Sequence, residues 1–355
     1  MGKFLQLHLL HSYGPSNLNR DDSGRPKTAT VGGVNRLRVS SQSLKRAWRT
    51  SEVFEKTVGN HIGLRTRKIG EKIIEHLREK LGNKFDEKKA AEVSKAVTKL
   101  WAAKDSKSNK DVLFLFSRKE YDATLAVAEK LAKGEIKDIA YTDILNPEDQ
   151  DIDVALWGRM LAAKPEYNVV AACQVSHAIT THRADAEDDY FAACDDLGHA
   201  TSEAGSGAGH IDARQFGAGI FYSYVCVDLD LLSSNLNGRT NLADAALEGI
   251  IRAAATVSPG GMQASFASRS FAQFVLAEIG SQQPRSLASA FTKPVWGHDQ
   301  VAASVAAVKS HRNRLTAAYG PGCDAEAVLD ISGEVADGSL TDIIQLARGQ
   351  LSCVS

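Results

Sequence analysis

This sequence has few cysteines, no long apolar runs and almost no net charge. Five cysteines are spread over 355 residues without a C-x-x-C pair, which disfavours a disulfide framework or a zinc knuckle and fits a reducing cytoplasm. No apolar run approaches the ~20 residues of a membrane span. Gln6, His8 and His11 interrupt the amino-terminal apolar stretch, which therefore makes a poor signal peptide. We expect a cytoplasmic protein that makes no membrane contact.

The net charge is only −1, while 43% of residues are hydrophobic and 24% are charged. This balance is typical of a soluble globular protein and excludes one coated in positive charge. It permits a local basic groove, because electrostatic steering depends on where charges lie as well as on their sum. Such a concentration exists: from Arg20 to Arg49, eight Lys or Arg residues accompany only Asp21 and Asp22.

The segment that begins at Ser40 predicts a helix capped by Ser40 or Ser41. At about 100° per residue, one side carries a polar row and the opposite side is apolar. The polar row comprises Gln42, Lys45, Arg46 and Arg49, and the apolar side comprises Leu44, Ala47 and Trp48. Free N–H groups and a line of cations suit a phosphate backbone. A charged helix face is also typical of a solvated surface, so charge alone leaves both interpretations open.

Apolar periodicity predicts the order of the secondary structure. Strands are expected at residues 4–13, with one face on a core, and in VNRLRV (34–39), where Arg36 and Arg38 share a face. SSQSLKRAWRTSEVFEKTV (40–58) predicts one helix. From about 60 to 165 the pattern is mostly helical, with a capping box at Ser117 and Glu120, which indicates an insertion.

The second half of the chain contains an unusual stretch at 183–218, which is first acidic and then Gly-rich. It is too long for an ordinary connection. GIFYSYVCVDLDLL (219–232) then predicts a strand, and NLADAALEGIIRAAATV predicts a helix capped at Asn241. The overall order favours an α+β fold built on a split β-α-β sandwich, of the ferredoxin-like or RRM-like class.

Several motifs are more specific than charge. They are NRDD (19–22), GG (32–33), RVSSQSLKRA (38–47), DVALWGRM (153–160), SHAITTH (176–182), DDYFAACDDL (188–197) and FGAGIFYSY (216–224). In this order they resemble the repeating backbone subunit of the type I-E CRISPR Cascade complex, the CasC family, over most of the chain. A looser match at 257–263 lacks a Lys that family members carry at the position of Gly261 or Met262, and Arg269 is a candidate substitute.

The resemblance implies a right-hand-like subunit. Its RRM-like palm would comprise residues 1–58 and 166–355, with helical fingers at 59–165 and a thumb at 183–218. Copies would stack head to tail along a CRISPR guide RNA, together with other Cascade subunits and without a cofactor. Each thumb would kink one base out, so that the guide segments between kinks can pair with target DNA.

The resemblance also implies the residues that hold the guide. Phosphates and sugars would be held by a basic and polar set: Arg20, Lys27, Arg38, Ser40, Gln42, Lys45, Arg46, Arg49 and Lys68. Met160 and Phe191 would wedge against bases, because a thioether or a phenyl ring can stack on any base. Phosphate contacts do not read sequence, which suits a protein that must accept any guide.

Two other functions remain open from the residues. An RNA-processing endoribonuclease on the same fold would use His8 or His11 as acid or base, and an oligomeric scaffold would bind no nucleic acid. A metal pair at His177 and His182 is disfavoured by their spacing of five. The acidic run at 185–189 favours a solvated loop over a magnesium site.

Overall fold

The computed structural model describes residues 2–101, 113–145, 148–161, 164–193 and 210–350. The strands are β1 (Phe4–Ser16), β2 (Thr28–Val31), β3 (Val34–Val39), β4 (Leu64–Thr66), β5 (Phe114–Phe116), β6 (Cys173–Val175), β7 (Ala178–Thr180), β8 (Glu187–Ala193), β9 (His210–Asp228), β10 (Ala272–Gly280) and β11 (Ala325–Asp330). The α-helices are α1 (Ser41–Arg49), α2 (Glu52–Val58), α3 (Ile69–Leu81), α4 (Glu87–Trp101), α5 (Arg118–Lys133), α6 (Ile152–Trp157), α7 (Leu229–Asn235), α8 (Thr240–Thr256), α9 (Gln263–Phe266), α10 (Gln300–Tyr319) and α11 (Leu340–Ala347).

One antiparallel sheet organises the chain, in the order β11-β10-β1-β9-β7-β3-β2, and β6 and β8 also pair with β9. The predicted mixture of helices with a sheet is confirmed. β1 lies between β10 and β9, and Leu5 pairs with Ile279 on one side and Val227 on the other. Strands far apart in sequence therefore meet at β1.

Both faces of β1 are buried, although the sequence predicted one. Leu5 and Leu9 pack on the face covered by α8, within the largest hydrophobic core. Leu10 packs on the opposite face with Phe291 and with Val308 of α10. His8 is fully buried on that second face because α10 covers it. Among the described residues, no helix is long and apolar enough to cross a bilayer.

Several predicted elements need correction at their ends. The helix predicted at 40–58 is two helices, because the Ser51 side chain accepts from Phe54 N and starts α2. The strand predicted to reach residue 232 stops at Asp228, whose side chain accepts from Leu231 N and caps α7. Helix α8 begins at Thr240 without a side-chain cap, so the predicted cap at Asn241 is wrong.

The helical block has its own core. Ile73 of α3, Val97 of α4, Phe116 of β5 and Ala128 of α5 pack together there. The capping box predicted at the start of α5 is present. α6 instead packs into the largest core through its buried apolar side chains, although it lies inside the predicted insertion. The helical block and the sheet therefore meet at α6.

The stretch predicted as a long loop is largely strand where it is described. β8 pairs with the first half of β9, from Glu187 opposite Phe216 to Ala193 opposite His210. The acidic residues of β8 thus form one strand of a long hairpin, with 194–209 between its strands outside the described residues. We call this β8–β9 hairpin the thumb hairpin, after the thumb that the resemblance implies at 183–218.

Candidate nucleic-acid interface

Helix α1 presents its polar face because its apolar face is needed for the core. Leu44 and Trp48 are buried, which stabilises the helix position by roughly 1.5–3 kcal/mol each. At the amino terminus Ser40 Oγ accepts from Ser43 N, and Asn19 Oδ1 accepts from Ser40 N. The predicted cap at Ser40 and the burial predicted for Leu44 and Trp48 are confirmed, whereas Ala47, also predicted on the apolar side, is only half-buried.

An open groove of about 630 Å³ runs beside α1. It is lined by Leu18, Asn19, Arg20, Asp21, Asp22, Gly24, Ser43, Arg46, Ala47, Thr50, Gly260 and Gly261. Arg20 and Arg46 are exposed, and neither forms an ion pair within the described ranges. Two unpaired guanidinium groups in one groove can each bind a phosphate.

The groove continues to the base of the thumb hairpin. A second hollow of about 440 Å³ shares Arg20 and Gly24 with the first and reaches Asp188, Arg214 and Met262. Carboxylates therefore alternate with cations along this surface. Asp21 is engaged locally, because it accepts from the Ser23 hydroxyl, which holds the pKa of its carboxyl below the usual range.

Lys27 and Arg38 lie side by side next to this groove. Both line a small crevice with Asn19, which also lines the groove. Arg38 donates from Nε to Thr28 O at 3.3 Å and from Nη1 to His177 Nδ1 at 3.0 Å. Lys27 is half-buried and has no ion-pair partner in the part of the chain that the structure describes.

The remaining basic residues predicted for RNA are not all in this groove. Arg49 Nε donates to Asp153 Oδ2 at 2.7 Å and its Nη2 donates to Gly63 O, so its guanidinium joins α1 to α6. Lys68 lies 3.6 Å from Glu71 at an exposed helix start and does not line the groove. Gln42 is exposed and Lys45 is half-buried on α1.

Arg36 is fully buried and donates to the Thr180 and Phe291 carbonyls. It shares a face of β3 with Arg38, as the alternation predicted, but it serves the core. Its Nε also donates to the nearby Val31 carbonyl at 3.4 Å. The Thr180 and Phe291 carbonyls come from distant parts of the chain, so the local sequence does not indicate that Arg36 is buried.

Met160 and Phe191, the predicted wedges, have very different surroundings. The Met160 side chain is 83% exposed. Its neighbours are fixed, because the buried Arg159 pairs with Glu120 and Leu161 N donates to Asn168. Phe191 is half-buried on β8, with the Arg214 guanidinium 4.5 Å above its ring.

The loop at 259–263 has no room for a side chain at Gly261, one of the two positions at which the resemblance implied a Lys. A Cβ at Gly261 would lie 2.4 Å from the Leu18 carbonyl oxygen, so no side chain fits there. Met262 follows at φ 48° and lines the second hollow. Arg269 is exposed but lines neither hollow. Asn19 and Gly260 also line the groove, but they were not predicted from the sequence. The only feature that could have indicated them is that they lie next to Arg20 and Pro259.

The two histidines considered for catalysis are enclosed. His8 hydrogen-bonds Tyr222 and Glu278 and is fully buried, and burial lowers its pKa. Burial also lowers the pKa of His11 to about 4. An acid or base must reach the scissile group, and neither imidazole is accessible to a bound RNA.

Comparison with known proteins adds an independent result. The model of the CT1975-like protein family matches residues 5–346. One solved chain, from a structure described as a CRISPR RNA-guided surveillance complex, pre-nicking, has a TM-score of 0.83 and 29% identity, covering 97% of this chain and 99% of that one. Another, from a CRISPR RNA-guided surveillance complex, has a TM-score of 0.71 and 26% identity over the same shares. No curated protein matches. These findings confirm the resemblance to a Cascade backbone subunit.

Proposed function

Since this chain belongs to the CT1975-like protein family, we propose that it is a non-catalytic subunit of a CRISPR RNA-guided surveillance complex. It binds guide RNA along the groove beside α1. The observation that carries this proposal is the pair of exposed, unpaired guanidinium groups of Arg20 and Arg46. Phosphates are the ligand that a row of such groups holds without regard to sequence.

In this proposal the subunit consists of a palm, helical fingers and a thumb. The succession of β1, α1, β7, β9, α8 and β10 supports an RRM-like palm, since it follows the split β-α-β pattern. The exposure of Met160 supports a wedge role, because a side chain that is 83% exposed is available for stacking. Lys27, Arg38, Ser40, Gln42, Lys45 and Phe191 belong to the same proposed RNA surface. Arg49 and Lys68 are its least supported members.

Assembly follows from the same proposal. Several copies stack head to tail along one guide and join other Cascade subunits in the cytoplasm. The guide segments between kinks then pair with target DNA. Base pairing between guide and target DNA determines which sequence is recognised, and the protein holds the guide through its backbone.

Native mass spectrometry tests this proposal. The chain is expressed with a CRISPR repeat array and its processing machinery, purified, treated with nuclease and weighed intact. We expect several copies bound to RNA of uniform length, because a coated backbone is protected. An oligomer free of RNA would contradict the proposal and favour a scaffold. As a matched comparison, Arg20→Ala/Arg46→Ala should retain less RNA than Lys80→Ala/Lys137→Ala, whose exposed lysines lie in the helical block.

A further inference from the structure

His177 is an exposed histidine between β6 and β7, and it lies beside two cations of the proposed RNA surface. Arg38 Nη1 donates to His177 Nδ1 at 3.0 Å, and Lys27 acts electrostatically on the same imidazole. Within the described residues, no carboxylate pairs with any of these three side chains. The ammonium, guanidinium and imidazole groups of these residues therefore form a cluster that suits an anionic ligand.

The hydrogen bond to Arg38 fixes the state of the imidazole in the absence of RNA. A guanidinium is always charged and can only donate. Nδ1 of His177 must therefore be an unprotonated acceptor, which leaves the ring neutral with its proton on Nε2. That nitrogen makes no hydrogen bond to another described residue, so it can donate to a ligand.

We propose that Lys27, Arg38 and His177 form an anion site that takes an RNA phosphodiester and binds it with uptake of one proton by His177. This site rests on the proposed function, because its ligand is the backbone of the bound RNA. It gives the groove a second anchoring point, at the end of β3, beyond the Arg20 and Arg46 pair.

Proton uptake follows from the charges around the ring. Desolvation is the largest cause that lowers the pKa of His177, followed by Arg38 on β3 and Lys27 in the segment before β2. When a phosphodiester lies among the three groups, Arg38 Nη1 donates to it instead of to His177 Nδ1, and Nδ1 takes up the proton. The phosphodiester offsets both cations and accepts a hydrogen bond from the imidazolium. The bound state therefore has the higher pKa, and by linkage the affinity for RNA must rise as the pH falls.

The experiment measures binding of an end-labelled single-stranded RNA at about pH 6 and about pH 8, at constant ionic strength. We expect wild-type protein to bind about tenfold more tightly at the lower pH. His177→Ala should reduce this ratio to about twofold or less. His177→Lys supplies a permanent charge and should bind tightly at both pH values. His298→Ala, which removes an exposed histidine before α10, should behave as wild type.

Other groups titrate in the same pH range, but the comparison of wild type with His177→Ala isolates the contribution of His177. Burial raises the pKa of Asp151 to about 6, and its contribution is common to wild type and every variant. Equal pH dependence in wild type and His177→Ala would overturn the anion site alone. Wild-type protein that binds no RNA at either pH would overturn the proposed function and this site with it.

Discussion

At the scale of the residue, two arginines of α1, Arg46 and Arg49, have different roles. Arg46 points its charge into an open groove, whereas Arg49 is held by Asp153. Both lie in one polar row, and the family resemblance implied that both contact phosphates. The partner that separates them follows Arg49 by 104 positions, so no local pattern could identify it. The row itself was predictable from helix periodicity and its cap.

Arg49→Ala should lower the free energy of unfolding by about 2 kcal/mol, because the buried Asp153 loses its charged donor. Urea denaturation measures this loss. Arg46→Ala is the matched control: it removes the same charge from an exposed position and should change stability by less than about 0.5 kcal/mol. Equal stability of the two variants would contradict the assignment of Arg49 to the fold.

At the scale of the element, strongly periodic segments were predictable and short or unpatterned ones were not. VNRLRV forms β3 with the predicted bounds, and the capping box at Ser117 starts α5 as predicted. β2 has only four residues within a polar loop. In α10, alanines occupy several faces of the helix and leave no clear apolar stripe. The resemblance implied a thumb at 183–218, but its strands were not predicted, because a run of acidic residues is more typical of a loop than of a strand.

Met160→Ala tests the segment that follows α6. The side chain is exposed and its neighbours are anchored, so stability and the salt dependence of RNA binding should not change. A guide carrying 2-aminopurine at a kinked position should lose fluorescence as the base restacks. Val170→Ala, which truncates another exposed apolar side chain, should leave the fluorescence unchanged. Restacking in neither variant, or in both, would contradict a wedge role for Met160.

At the scale of the whole molecule, near-zero net charge coexists with a groove in which two arginines, without an ion pair among the described residues, lie beside Asp21 and Asp22. Arg20 and Arg46 line the groove, while many other charges pair locally, as Lys133 does with Glu129. Composition could exclude a uniformly basic protein but could not locate the groove. Its position depends on Gly261 packing against the Leu18 carbonyl, a contact between segments about 240 residues apart in sequence. The fold class was therefore more predictable than the shape of the site.

The most direct test of the central claim is the salt dependence of RNA binding. The logarithm of the binding constant is measured against the logarithm of salt concentration for two single-stranded RNAs of unrelated sequence. Arg20→Ala/Arg46→Ala should reduce the slope by about 1.4, close to 0.7 for each lost phosphate contact, equally for both RNAs. Lys80→Ala/Lys137→Ala should leave it near the wild-type value. An unchanged slope in the arginine variant would show that the groove is a solvated surface.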